Sequence, residues 1–228
     1  MGTYVITLVG NLGLIILIRM NSQLHTPMYY FIFNLSFIDL CYTSVFTPKM
    51  LMNFIVKKSF ISYSECMYQL FFFCFFGISE SYVFTIMAYD RYVAICNPLL
   101  YNVTMSNQVC SWLLSGAYVM GFAGSMTHTG CMLRLSFCDA NIINQLSCIS
   151  TYVHELVVFI VGSINILVPF VTIFTSYSLI LSSILRINST EGRSKAFSTC
   201  SSHIIAVALF FGSGAFMYLK PSSSGSVN

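Results

Sequence analysis

The sequence predicts an all-α integral membrane protein with six transmembrane helices, and three observations carry that prediction. Only 7% of the 228 residues are charged and 57% are hydrophobic, where an ordinary soluble domain carries about a quarter charged residues. The apolar residues gather into six runs of roughly the length a helix needs to cross the ~30 Å hydrocarbon core of a bilayer. Charge enters where such runs end, most plainly in residues 87–101, MAYDRYVAICNPLLY, where an acid, an arginine and a tyrosine precede the break at Pro98. Between Cys66 and Arg91 lie 25 residues of chain, which as helix cover about 38 Å. The thiol and the guanidinium are therefore expected on opposite faces of one membrane.

The helices are expected over residues 3–19, 28–52, 67–96, 109–127, 154–185 and 196–219, forming one transmembrane domain over 1–228. The first run has neither the basic start nor the small-residue cleavage site of a signal peptide, and Arg19 closes it. It is barely long enough to span, so little ordered chain is expected before it. Pro27 suits the first turn of the second helix. Lys57 and Lys58 mark the loop before the third run, which is crowded with aromatics at Phe71, Phe72, Phe73, Phe75 and Phe76. A helix cannot turn so many successive residues to one side, so most of these face lipid or packed neighbours. Trp112, the only tryptophan, sits near the start of the fourth run, where an interfacial anchor belongs. A long polar connection from His128 to His154 precedes the fifth run, in which Pro169 suggests a kink. Arg186, Arg193 and Lys195 then make a basic loop before the sixth.

Composition also excludes. A net charge of +3 without a block of Lys or Arg leaves no nucleic-acid footprint. Cys41, Cys74, Cys96, Cys110 and Cys200 fall in or beside apolar runs and read as buried thiols. Cys66, Cys131, Cys138 and Cys148 lie near loops that an oxidising compartment reaches, and topology allows a bridge from Cys66 to the loop before the fifth run. His128, Cys131, Cys138, Cys148 and His154 lack the short ligand spacing of a zinc site. No nucleophile and base pattern points to an enzyme, and neither a metal nor a cofactor is expected.

Three polar residues fall at membrane depth. Asn11 reads equally as interhelical glue or as a functional group. Asp39 and Glu80 lie at similar depth in the second and third runs, and ionisable groups there are by default candidate functional sites. They either share a proton or cation or are separately hydrogen-bonded. They also support an alternative reading, an ion- or proton-coupled transporter, although no inverted repeat accompanies them.

The motifs resemble those of one family along nearly the whole chain. Gly10-Asn11, LHTPMYYF (24–31), LSFIDLCYTS (35–44), PKML (48–51), MAYDRYVAIC from residue 87, Ser176-Tyr177 and KAFSTCSSH (195–203) are similar to those of vertebrate olfactory receptors, which are rhodopsin-like G-protein-coupled receptors with seven helices. The resemblance implies a plasma-membrane receptor for small hydrophobic or volatile odorants, with the lipid bilayer and a stimulatory heterotrimeric G protein as its other partners. It implies coupling through Asp90, Arg91, Tyr92, Tyr177, Arg193 and Lys195. It projects a pocket onto Phe73, Cys74, Gly77 and Ile78 of the third helix, Gly162, Asn165 and Ile166 of the fifth, and Phe211, Gly214 and Tyr218 of the sixth. Asn165 and Tyr218 would be its polar anchors, unless Asn165 is bonded to a neighbouring helix instead. Two features of the family, the seventh helix and the extracellular amino-terminal segment, are absent from the chain as written. The family's middle loop cysteine is absent too, so its bridge would be rerouted from Cys66 to Cys138 or Cys148, or lost. The resemblance thus implies a partial copy with low surface expression and weak or absent signalling.

The topological expectation is directly measurable. An impermeant maleimide applied to intact cells after mild reduction labels Cys66, and it reaches the new thiol of an Arg91→Cys variant only after permeabilisation. Labelling of both from one side would overturn the membrane topology.

Overall fold

The computed structural model describes the backbone of residues 2–56, 63–140, 147–186 and 189–219, and the side chains of all of these except 3, 46, 48–56, 63, 134–140, 147–155, 195 and 214–219. Among the described residues the chain forms helices and no strand. The long helices are α1 (Gly2–Met20), α2 (Pro27–Val56) and α3 (Tyr63–Cys96); a short α4 (Tyr101–Thr104) follows; then come α5 (Asn107–Ala140), α6 (Ser147–Leu185) and α7 (Thr190–Leu219). Four stretches, 64–96, 107–133, 156–185 and 190–213, are long and apolar enough to cross a membrane, and Tyr4–Met20 is a shorter apolar helix.

The helices are apolar around most of their circumference, as lipid requires. Phe159 is 70% and Leu209 68% exposed, positions that would be costly in water. Between α1 and α2 the chain turns through a short 3-10 segment whose first amide, that of Gln23, is capped by the Asn21 side chain, and Pro27 takes the first position of α2. Proline is tolerated there because a first-turn N–H has no intrahelical acceptor. Pro169 is buried inside α6, which runs helical through it.

α5 departs from expectation. It continues past Met126 through His128 to Ala140, where composition reads as a loop. Thr129 and Cys131 are buried, and the His128 ring packs against Gly162 of α6. Packing of His128, Thr129 and Cys131 against the bundle rewards a helical course here, and tertiary context overrides the local signal.

α3 is the centre of the bundle and touches α2, α5, α6 and α7. Its Phe76, Val83, Phe84, Met87 and Ala88 form the main core with Phe31 and Ile38 of α2, Leu114 and Ala117 of α5, and Ile173 of α6. The α3–α5 seam is the closest approach. A Cβ at Gly121 would lie 2.8 Å from the Phe75 carbonyl oxygen and would collide with Ser79 Oγ, and one at Gly124 would lie 2.6 Å from Ile78 Cδ1. Small residues at such crossings let two helix backbones meet.

Gly121→Ala is therefore expected to destabilise the bundle by about 1–3 kcal/mol, the usual cost of overpacking a filled seam. Gly116→Ala, where a Cβ meets nothing within 4 Å, is expected to stabilise by roughly 0.5–1 kcal/mol through helix propensity. Thermal melts of the purified protein in detergent would show shifts of opposite sign.

Candidate functional site

At the end of α3 an acid is removed from solvent altogether. Asp90 is fully buried, and three donors hold its carboxylate. Arg91 Nη2 and Nε donate to Oδ2 at 2.7 and 3.1 Å, while the Tyr101 hydroxyl donates to Oδ1 at 2.8 Å. A buried charge persists only when paired and hydrogen-bonded. The break at Asn97 and Pro98 makes the third contact possible, because a 3-10 turn over Pro98–Leu100 swings α4 back under α3. Burial, and then the neighbouring Asp90 charge, push the Tyr101 phenol above its ordinary range. It therefore stays protonated, and a donor, at physiological pH.

A second contact lies across α6 and α7. The Tyr177 hydroxyl hydrogen-bonds the His203 ring at Nδ1, and the two rings stack obliquely with centroids 5.6 Å apart. His203 is 3% exposed, and its ring meets Phe84 of α3 edge-on. Tyr92 packs beside Tyr177 around Ile180, Ile184 and Cys200. Arg193, at the start of α7, donates to the Leu185 carbonyl at the end of α6 at 3.5 Å. The Lys195 side chain lies outside the described residues.

The projected pocket residues are only partly brought together. Ile78 and Asn165 meet at Gly124, and Gly162 faces the His128 ring. Phe211 stands edge-on to Phe170, with centroids 6.3 Å apart. Phe73 instead lies against Tyr42 of α2; Ile166 is 54% exposed. Cys74 is half-buried, and the Gly77 side of α3 is open. Asn165 is 7% exposed and already engaged, its Oδ1 accepting from the Tyr82 hydroxyl at 3.4 Å and its Nδ2 donating to the Val161 carbonyl at 2.9 Å. That geometry matches the alternative in which the amide ties neighbouring helices. Gly214 and Tyr218 fall among residues whose side chains are not described. An apolar cavity of about 300 Å³ lies between α6 and α7, walled by Phe170, Ile173, Tyr177, Ile204, Val207 and Phe211. It joins a projected pocket residue, Phe211, to a projected coupling residue, Tyr177.

Asp39 of α2 and Glu80 of α3 are both half-buried. Asn11 instead turns its amide back to the Thr7 carbonyl of its own helix, at 3.2 Å. Cys66 is exposed at the start of α3, and its candidate partners Cys138 and Cys148 lie outside the described side chains. Among the described residues no three His, Cys, Asp or Glu side chains converge as metal ligands.

Tyr101 and His203 are functional candidates that sequence reasoning passed over. Tyr101 closed the motif at residues 87–101 and His203 ended KAFSTCSSH, but neither was given a role. The usable signals were a polar ring just past the Pro98 break for Tyr101 and a lone imidazole inside an apolar helix for His203.

Comparison with known proteins identifies the family. Residues 1–220 match the family model described as "Olfactory receptor". The chain is 70% identical to human Olfactory receptor 8B3 over 96% of its length and 74% of that protein's. It is 67% identical to human Olfactory receptor 8B8, over all of this chain and 76% of that protein. With mouse Olfactory receptor 8B8 it shares 68% identity, over 98% of this chain and 75% of that protein. A match along the chain to a receptor family leaves the transporter alternative built on Asp39 and Glu80 without support. The chain belongs to the olfactory receptor family.

Proposed function

We propose that this chain is an odorant-detecting receptor of the plasma membrane in which a small apolar ligand biases the α6–α7 pair, and Arg91 answers to a stimulatory, olfactory-type G protein. The observation that carries the reading is the buried Asp90 carboxylate held at once by Arg91 and Tyr101. Such a pair at a helix end is a two-state element. Arg91 stays with Asp90, or it leaves to meet a partner, and a ligand that binds one helix arrangement better than the other shifts the balance. The cavity shared by Phe211 and Tyr177 offers the mechanical link. Its walls are apolar, so it suits molecules that partition into hydrocarbon, and its volume lies at the lower edge of the roughly 300–1,000 Å³ typical of ligand sites. An apolar ligand against Phe211 presses on the α6–α7 packing that positions Tyr177. Tyr177 packs with Tyr92, the residue that follows Arg91, around Ile180, Ile184 and Cys200.

The test is a cAMP assay on cells displaying the receptor, challenged with a panel of volatile hydrophobic compounds; a response through another second messenger would overturn the stimulatory assignment. Arg91→Ala is expected to abolish the odorant response at unchanged surface level. Tyr101→Phe removes one hydrogen bond from the resting arrangement, about 1 kcal/mol, and is expected to raise basal cAMP roughly fivefold. An unchanged basal level would deny Tyr101 its part in the resting state.

The cavity has its own test. Phe211→Ala deletes a ring worth about 1.5–3 kcal/mol of buried contact. The odorant concentration for half-maximal response is expected to rise roughly tenfold to a hundredfold. A potency unchanged at equal surface level would place the ligand elsewhere.

A further inference from the structure

The motif LHTPMYYF takes no part in the ligand or coupling arrangement, yet it builds the wall of a different cavity. At the end of the bundle that carries Arg91, a space of about 440 Å³ opens between α1, α2 and α5. Leu24, His25, Thr26, Pro27 and Tyr30 of the motif line one side. Arg19 of α1 and Asn107 and Ser111 of α5 complete the polar part, while Ile18, Phe33 and Cys110 form an apolar back wall.

Three observations identify the occupant. The first is charge: two basic side chains, Arg19 and His25, and no acid line the cavity. The buried Asp90 carboxylate is already held by Arg91 and Tyr101. The second is depth. Tyr29, Tyr30 and Trp112 around the cavity are 37%, 39% and 72% exposed, and exposed Tyr and Trp of a membrane protein sit at the headgroup level. The third is continuity with hydrocarbon, because Leu14 and Leu17 of α1 carry an exposed aliphatic surface, 42% and 55%, away from the Arg19 end of the cavity. A free anion would use only the polar half of such a site, and an acidic peptide would leave the aliphatic exit unused.

We propose that this cavity binds an anionic phospholipid of the cytoplasmic leaflet, with its phosphate between Arg19 and His25, a hydroxyl donor from Thr26, and an acyl chain along Leu14 and Leu17. The cytoplasmic leaflet supplies anionic headgroups on this side. The cavity wall is also the back of the Asp90 cluster, since Cys110 lines the one and its Sγ donates to the Met105 carbonyl in the loop that follows α4. Lipid bound here would brace the segment that presents Tyr101.

The chain has one tryptophan, Trp112, next to Ser111, so it reports on the site directly. The receptor in phosphatidylcholine vesicles is titrated with phosphatidylserine brominated near the carboxyl end of its chain, then in parallel with phosphatidylcholine brominated at the same place. Trp112 fluorescence is expected to be half-quenched at a mole fraction of phosphatidylserine roughly tenfold lower than of phosphatidylcholine, from two basic contacts at headgroup depth. Arg19→Gln with His25→Gln is expected to abolish the preference at unchanged helical circular dichroism, and Arg186→Gln, outside the cavity, to keep it. Equal quenching by the two lipids in the wild-type protein would overturn the proposal. A preference that survives the double substitution would do so as well. Relief of the quenching by millimolar inorganic phosphate would make the occupant a free anion and not a lipid.

Discussion

Most of this structure answers to one constraint, that a polar group inside hydrocarbon seeks its partner within the protein; among the described residues Ser79 Oγ, Thr129 Oγ1 and His203 Nε2 are buried without one. The hydroxyls make the point. Thr85 donates to the Ser81 carbonyl, Thr172 to Val168, Thr175 to Val171 and Ser178 to Phe174, each one turn back along its own helix at 2.8–2.9 Å. Those side chains are satisfied locally and leave the helix surface free to meet lipid. Where a helix cannot satisfy its own group, a second helix is recruited, as when Tyr82 of α3 donates to Asn165 of α6. Asp90 is the extreme case, a buried carboxylate that needs an arginine on its own helix and a tyrosine beyond the next turn.

The same constraint explains why α3 is central. It carries Ser79, Glu80, Ser81, Tyr82, Asp90 and Arg91 along its spanning stretch, and it is covered by α2, α5, α6 and α7. A polar helix in a membrane bundle belongs in the middle. Its aromatic upper half follows the converse logic: Phe71, Phe72, Phe75 and Phe76 stack on one another and on Phe122 and Tyr118 of α5, which makes a broad apolar wall.

Much of the fold was legible because apolar runs of spanning length and polar breaks are strong signals, and each long helix lies where a run of the sequence lies. The extension of α5 was not legible, since His128, Thr129 and Cys131 look like loop residues until Gly162 is seen beside them. At the site, Asp90 with Arg91 could be read from adjacency alone. Tyr101 required knowledge that the chain doubles back after Pro98, and His203 required the relative rotation of α6 and α7. Neither is encoded in a local pattern. Asn165 shows the complementary difficulty: a polar residue on a pocket-facing register and one that ties helices together have the same sequence signature, and only its engagement with Tyr82 separates them.

The glycine seam between α3 and α5 bears on how such a molecule moves. With the Phe75 carbonyl this near Gly121, and the Ile78 and Asn165 side chains closed on Gly124, sliding or rotation of α3 against α5 meets steric collision, whereas α7 meets α3 and α6 over short stretches only. The bundle is thus divided into an anvil and a hammer: one half fixed by interlocked main chain, the other hung on a few side chains and free to swing. The joint between the two is the level where Tyr177 of α6 bonds His203 of α7, and where the His203 ring meets Phe84 of α3.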